Sequence, residues 1–290
     1  MSIKTAVSSY SFWKLIQKGE MTQFDCVAKA KELGFDGIEF IDLAPHDGST
    51  QAQYAKKLAD ESRRVGIAIT NYTVGADFLT GSNGDVDAEI ARVKQQVDIA
   101  VLLGASGMRH DATRGFAPNT GKGFAEALPI LADACRQVTE YAATCGIRTM
   151  VENHGQFCQD SARVEQLINA VAHPNFGWLC DMGNFLCVDE DPIVACGRAV
   201  PYAFNVHAKD FYIKSGNGQN PGIGHFRSRG GNYLKGTIVG HGDVPVLQCL
   251  SIFKRSGYDG YVAIEFEGME DVLTAIDAGL QNLKRYLELA

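Results

Sequence analysis

No stretch of this chain approaches the ~18 consecutive apolar residues of a membrane-spanning helix, so no membrane partner is expected. The eight cysteines, Cys26, Cys135, Cys145, Cys158, Cys180, Cys187, Cys196 and Cys249, include no CxxC and no zinc-type pair. In a chain of this size such scatter reads as reduced thiols packed as small apolar residues, which predicts neither a disulfide framework nor a thiolate metal site. Met1 to Trp13 lacks the apolar core and small-residue cleavage site of a secretory leader, and a cytoplasmic location is expected. A surplus of cations is missing as well, since 27 Lys and Arg face 34 Asp and Glu, a net charge of -7. Proteins that grip phosphate backbones need that surplus to displace counterions, so no nucleic-acid partner is expected. Nor does a Pro- or Ser-rich linker divide the 290 residues, which predicts one domain over 1–290.

What the chain has is alternation. Strand-like runs at Lys4–Ser9, Gly37–Leu43, Ile67–Val74, Gly107–Asp111, Arg148–His154, Phe176–Asp181, Ala203–Lys209 and Gly260–Phe266 are several times nearly continuous in apolar residues, as strands covered on both faces should be. Between them lie amphipathic helical stretches, among them Thr22–Leu33, Gln51–Val65, Val86–Leu103, Ala125–Cys145, Ser161–Ala172, Val244–Ser256 and Asp271–Leu287. Leu33-Gly34-Phe35-Asp36-Gly37 and Ser256-Gly257-Tyr258-Asp259-Gly260 read as helix-to-strand corners, with a glycine ending each helix. The pattern predicts an α/β fold, a single (β/α)8 TIM barrel, although an open doubly wound sheet would alternate in the same way. One connection is long: about thirty residues from Asp210 to Gly240, rich in Gly, Asn and Ser, predict a lid-like loop at 211–240 or a surface insertion.

Four apolar runs end in a residue that can ligate a metal: Glu152, Asp181, His207 and Glu265. In a closed barrel the last four strands are neighbours around a ring, so their ends can face one ion, which decides for the barrel over the open sheet. Three carboxylates and an imidazole brought together would repel and lose hydration unless a divalent cation sat among them. The oxygen-rich set predicts one divalent metal ion, Mn2+ first, with Mg2+, Co2+ or Zn2+ as alternatives. Any one of the four alone is as well explained by a salt bridge or helix cap; four in successive strands are not. Glu152 and Glu265, on opposite sides of the mouth, are also the expected catalytic pair, able to take a proton from one face of a carbon and return one to the other. The ion would stabilise the enediolate charge as it forms.

Residues two apart on a strand share a face, which places His154 above Glu152, Lys209 above His207 and Glu267 above Glu265. His154 and Lys209 are expected to bind substrate hydroxyls, and Glu267 is the alternative to Glu265 as ligand. His110, at the end of the fourth strand, is a further expected substrate contact. Trp13 is expected as an apolar wall against a sugar ring. In Gly240-His241-Gly242-Asp243, Asp243 reads as a helix N-cap and His241 as turned toward the mouth. Arg227, with Arg229, is a candidate clamp for a phosphate or carboxylate, against the ordinary reading of two solvated arginines.

Together, Gly34-Phe35-Asp36-Gly37-Ile38-Glu39, Val151-Glu152-Asn153-His154, Asp181-Met182-Gly183-Asn184, Val206-His207-Ala208-Lys209-Asp210 and Ile264-Glu265 resemble the xylose-isomerase-like TIM-barrel superfamily of sugar isomerases and epimerases, to which inosose dehydratases and endonuclease IV also belong. The resemblance implies that Glu152, Asp181, His207 and Glu265 hold one ion and that Glu152 and Glu265 double as acid and base. It implies a small sugar or keto-sugar as substrate and an isomerase or epimerase as the activity, with a lyase or dehydratase, inosose-type or cleaving a 3-keto-glycoside, as the alternative. Barrels of this kind often form homo-oligomers, though no segment here specifies one. Ketose 3-epimerases usually carry a His three residues after the strand-six Asp, an Arg six after the strand-seven His and a Glu six after the strand-five Glu. This chain has Asn184, Ile213 and Cys158 there, so the usual clamp on a free ketohexose is missing. Endonuclease IV needs several more histidines, one of them at Asn184, which excludes it.

Overall fold

The apolar runs become short strands buried on both faces. In the computed structural model, which describes residues 3–290, the strands in chain order are β1 (Lys4–Ser8), β2 (Gly37–Ile41), β3 (Ala68–Val74), β4 (Gly107–His110), β5 (Arg148–Glu152), β6 (Phe176–Asp181), β7 (Ala203–Ala208), β8 (Asp210–Lys214), β9 (Phe226–Arg227), β10 (Tyr233–Thr237) and β11 (Tyr261–Ile264). Met1 and Ser2, the start of the expected 1–290 domain, lie outside the described residues. β1 to β7 and β11 form a closed barrel in the order β1-β11-β7-β6-β5-β4-β3-β2, every pair parallel. Closure follows from β1, which pairs with β2 on one side and β11 on the other. The open-sheet alternative is thereby excluded.

The helices are α1 (Trp13–Gln17), α2 (Gln23–Leu33), α3 (Gln51–Val65), α4 (Val86–Leu103), α5 (Phe124–Thr144), α6 (Ser161–Val171), α7 (Pro192–Ala199), α8 (Val246–Arg255) and α9 (Val272–Leu289). Capping boxes at Thr22/Asp25 and Thr50/Gln53 satisfy free N–H groups at the start of α2 and α3. Gly34 ends α2 at φ 87°, a left-handed backbone that a side chain would oppose. Buried helix residues such as Leu58, Val97, Leu131, Leu250 and Leu280 pack on the outside of the barrel in one continuous core. No helix among the described residues is long and apolar enough to cross a membrane.

Two stretches depart from expectation. The segment 211–240 is not a plain loop: β8, β10 and β9 form a small antiparallel sheet in which Phe211 and Leu234 are buried. The Asp210 carboxylate ties its root together by accepting backbone N–H bonds from Gly240, Gly242 and Val244 at 2.8 to 3.1 Å. Asp243 is not the cap of α8, which begins at Val246 behind Pro245; its carboxylate instead accepts the Ile213 N–H at 2.7 Å.

Candidate metal centre

Parallel strands deliver all their C-terminal ends to one face of the barrel. Glu152 and Asp181 are the last residues of β5 and β6, His207 is paired with Asp181 across β6 and β7, and Glu265 follows β11 directly. All four are buried, and one ligand atom from each lies within 4.8 Å of the others. Asp181 Oδ1 accepts the N–H groups of Gly183 and Asn184 at 2.8 and 2.9 Å. Its Oδ2 has no hydrogen bond and has the Lys209 ammonium 3.3 Å away. His207 is divided in the same way. Nε2 meets Glu39 Oε1 at 2.9 Å, whereas Nδ1 has no hydrogen-bond partner and faces Glu265, Asp181 and Glu152 at 3.7, 3.8 and 4.0 Å. A buried imidazole nitrogen and a buried carboxylate oxygen that lack hydrogen bonds in one cluster suit a cation ligand set.

Side chains of the protein already bring positive charge to these carboxylates. Burial and the neighbouring Glu152 and Glu265 push the Asp181 carboxyl up despite Lys209. Burial disfavours charge on His207, yet Glu39 and Glu265 outweigh it and hold the imidazole up to about 10. Glu39 is itself fixed by Asn71 and Asn205, whose amides donate to Oε2 at 3.0 and 3.2 Å. Lys209 supplies positive charge within the cluster: its ammonium touches Glu265 and lies 3.3 Å from Asp181 and 3.6 Å from Glu267. Asn184, where ketose 3-epimerases carry His, donates to Glu152 Oε1 at 2.9 Å and accepts from Lys209 at 3.2 Å.

A cavity of about 310 Å³ opens above the cluster, and His154, Lys209 and Glu267 line it as the alternation rule placed them. His154 is half-buried, with Nδ1 2.9 Å from Asp111; burial lowers its basicity, but Asp111 more than compensates and raises it. Trp13 is 41% exposed and lines a smaller neighbouring cavity that shares Tyr10 and Glu267 with the main one. The sheet 210–237 holds Ile213, while Cys158 is buried beside the β5–α6 connection.

Three expected contacts lie elsewhere. His110 points out of the barrel, fully buried between Phe78 and Phe176. Its neighbour Arg109 takes the inward face instead: it pairs in register with Met150, two residues before Glu152, so Arg109 and Glu152 share a side. His241 is exposed in the turn before α8 and does not line the cavity. Arg227 is an exposed residue of β9, donating to the Gly231 carbonyl at 3.0 Å and lying 4.5 Å over the Tyr233 ring. Arg229, its companion, reaches Asp160 at 3.0 Å and ties that sheet to the start of α6.

The sequence of residues 27–286 matches the family model described as xylose isomerase-like TIM barrel. Among solved structures, the chain is similar to a 3-keto-D-glucoside 4-epimerase from E. coli (15% identity, 98% of this chain and 100% of that one, TM-score 0.70). It is also similar to a probable 3-DHS dehydratase from Bacillus anthracis involved in petrobactin synthesis (18%, 97% and 99%, 0.73). A third is the IOLI protein solved with a bound zinc atom (15%, 98% and 96%, 0.73). At these identities the likeness is one of fold. Comparison with curated protein sequences finds no match.

Proposed function

The chain belongs to the xylose isomerase-like TIM barrel family, and from that premise we propose that it is a divalent-metal-dependent isomerase or epimerase acting on a small sugar or keto-sugar. The observation that carries the reading is the pair of buried ligand atoms without hydrogen bonds, His207 Nδ1 and Asp181 Oδ2, inside a cluster flanked by two glutamates. Glu152, Asp181, His207 and Glu265 would hold the ion, for which Mn2+ suits the oxygen-rich set and Zn2+ is the alternative seen in a neighbour. When bound, the ion supplies positive charge beside the oxygen next to the reacting carbon.

The protein's own groups do the rest. Glu152 and Glu265 face the substrate from two sides; one removes the proton next to the carbonyl and the other returns a proton to the opposite face. Lys209 and His154 hydrogen-bond hydroxyls and orient the carbon between the carboxylates, and Trp13 closes one side with an apolar wall. A second reading keeps the same first step. If a hydroxyl on the next carbon leaves as water instead, the enzyme is a dehydratase, and the name of the Bacillus anthracis neighbour favours keeping that outcome in view.

The test is incubation with keto-sugars in D2O, followed by mass spectrometry. An isomerase or epimerase puts deuterium on the carbon beside the carbonyl at unchanged composition, and a dehydratase gives a product lighter by water. A substrate that turns over at unchanged composition with no deuterium incorporated would refute proton transfer.

A further inference from the structure

Arg109 and Asp111 join three strand ends. Arg109 Nη2 lies 2.6 Å from Glu152 Oε2 and 2.8 Å from Asp111 Oδ1, and Nη1 donates to the Val74 carbonyl at the end of β3 at 3.3 Å. Asp111 Oδ1 in turn lies 2.9 Å from His154 Nδ1. The Arg109 and Glu152 side chains are 6% and 3% exposed, so their contact is shielded from bulk water. Burial resists its charge, but Asp111 and Glu152 hold it firmly protonated. The same pairing keeps the Asp111 carboxyl well below the usual carboxylate range although burial opposes it.

We infer that Arg109 and Asp111 are positioning residues that aim Glu152 and His154 as one unit toward the cavity. The inference rests on the proposed role of Glu152, and three observations carry it. Both oxygens of Glu152 are committed, Oε2 to Arg109 and Oε1 to the Asn184 amide, so the carboxylate plane cannot rotate without breaking a charge-assisted bond in a dry site. Arg109 reaches Glu152, Asp111 and a backbone carbonyl together, which a planar fork of donors allows and a lysine ammonium, a compact point charge, does not. Asp111 accepts from His154 Nδ1, which fixes a proton on that nitrogen and leaves Nε2, without a protein partner among the described residues, on the cavity wall. A stability role alone is a poor account of the arrangement, because buried ion pairs contribute little over apolar residues of the same size.

The test uses the full chain, Mn2+ as the probe, and the variants Arg109→Lys and Asp111→Asn, each checked for folding by circular dichroism. Arg109→Lys keeps the charge but loses the fork. It is expected to weaken Mn2+ binding about 10- to 100-fold, the usual cost of losing a group that orients a ligand, and to alter the electron paramagnetic resonance pattern of the bound ion. In metal-free protein, Asp111→Asn is expected to shift the 15N resonances of His154, assigned with His154→Gln, from the Nδ1–H form toward the mixed tautomers of a free imidazole. Wild-type affinity and spectrum in Arg109→Lys, together with an unchanged His154 tautomer in Asp111→Asn, would overturn the inference. A wild-type protein that binds no Mn2+ sinks the functional reading instead, and the histidine measurement then decides this one. The same measurement decides if Arg109→Lys does not fold.

Discussion

Glu39 and His207, from β2 and β7, meet inside the barrel, with Oε1 and Nε2 2.9 Å apart and neither side chain exposed to solvent. The contact fixes the ring and keeps a proton on Nε2, so that Nδ1, whose own proton a bound cation would displace, faces the carboxylates of Asp181, Glu152 and Glu265. Glu39→Ala is therefore expected to lower Mn2+ affinity about 10- to 100-fold, measured by isothermal titration calorimetry. Unchanged affinity in the folded variant would mean that His207 is not oriented by Glu39, or is not a ligand.

Lys209 bears on how the cluster stays folded without an ion. Its buried ammonium is in contact with Glu265 and near Asp181, so Lys209→Met leaves buried carboxylates uncompensated. Removing one partner of a buried pair costs about 3 kcal/mol or more, and the metal-free variant is expected to melt well below the metal-free wild type. Added Mn2+ restores positive charge to the same carboxylates, so the gap in Tm between metal-free and Mn2+-saturated protein should be wider in the variant than in the wild type. Equal gaps would show that the lysine and the ion do not serve the same charges.

The barrel and the four strand-end residues were legible because both rest on local pattern: apolar runs of strand length, helical spacing between them, and an acid or histidine where each of four runs stops. His154, Lys209 and Glu267 followed from parity within one strand. His110 did not, because whether His110 or Arg109 faces inward depends on the register of β4 against β5, where Arg109 sits opposite Met150. Pairing between strands is a property of the closed barrel and leaves no mark in either segment alone. The same limit hid the role of Glu39, whose partner is 168 residues away. The small sheet of β8, β9 and β10 was obscured by the Gly- and Asn-rich stretch within it, and α7 by its length of 8 residues.

Trp13 offers a test of the apolar wall that does not disturb the core. It is 41% exposed and borders the cavity through Tyr10 and Glu267, so Trp13→Ala should fold normally. If the ring packs against the substrate in ground state and transition state alike, KM rises several-fold with little change in kcat. Steady-state kinetics on whichever keto-sugar incorporates deuterium measures both constants, and a fall in kcat at constant KM would place the tryptophan's effect in the transition state instead.

His110 makes a prediction about pH. Burial between Phe78 and Phe176 lowers the imidazole from 6.5 to about 4, overcoming the opposing pull of Asp111. The unfolded chain takes up a proton at this residue as pH falls through 6.5, while the folded chain takes it up only near 4. Stability from this group is therefore complete above 6.5 and is lost progressively between 6.5 and 4, by about 3 kcal/mol at most. His110→Gln keeps a polar side chain of similar size but cannot titrate, so its stability should fall less steeply across that window. Urea unfolding in EDTA at pH 7, 5.5 and 4.5 compares the two slopes, and parallel curves for wild type and variant would place the acid sensitivity elsewhere in the fold.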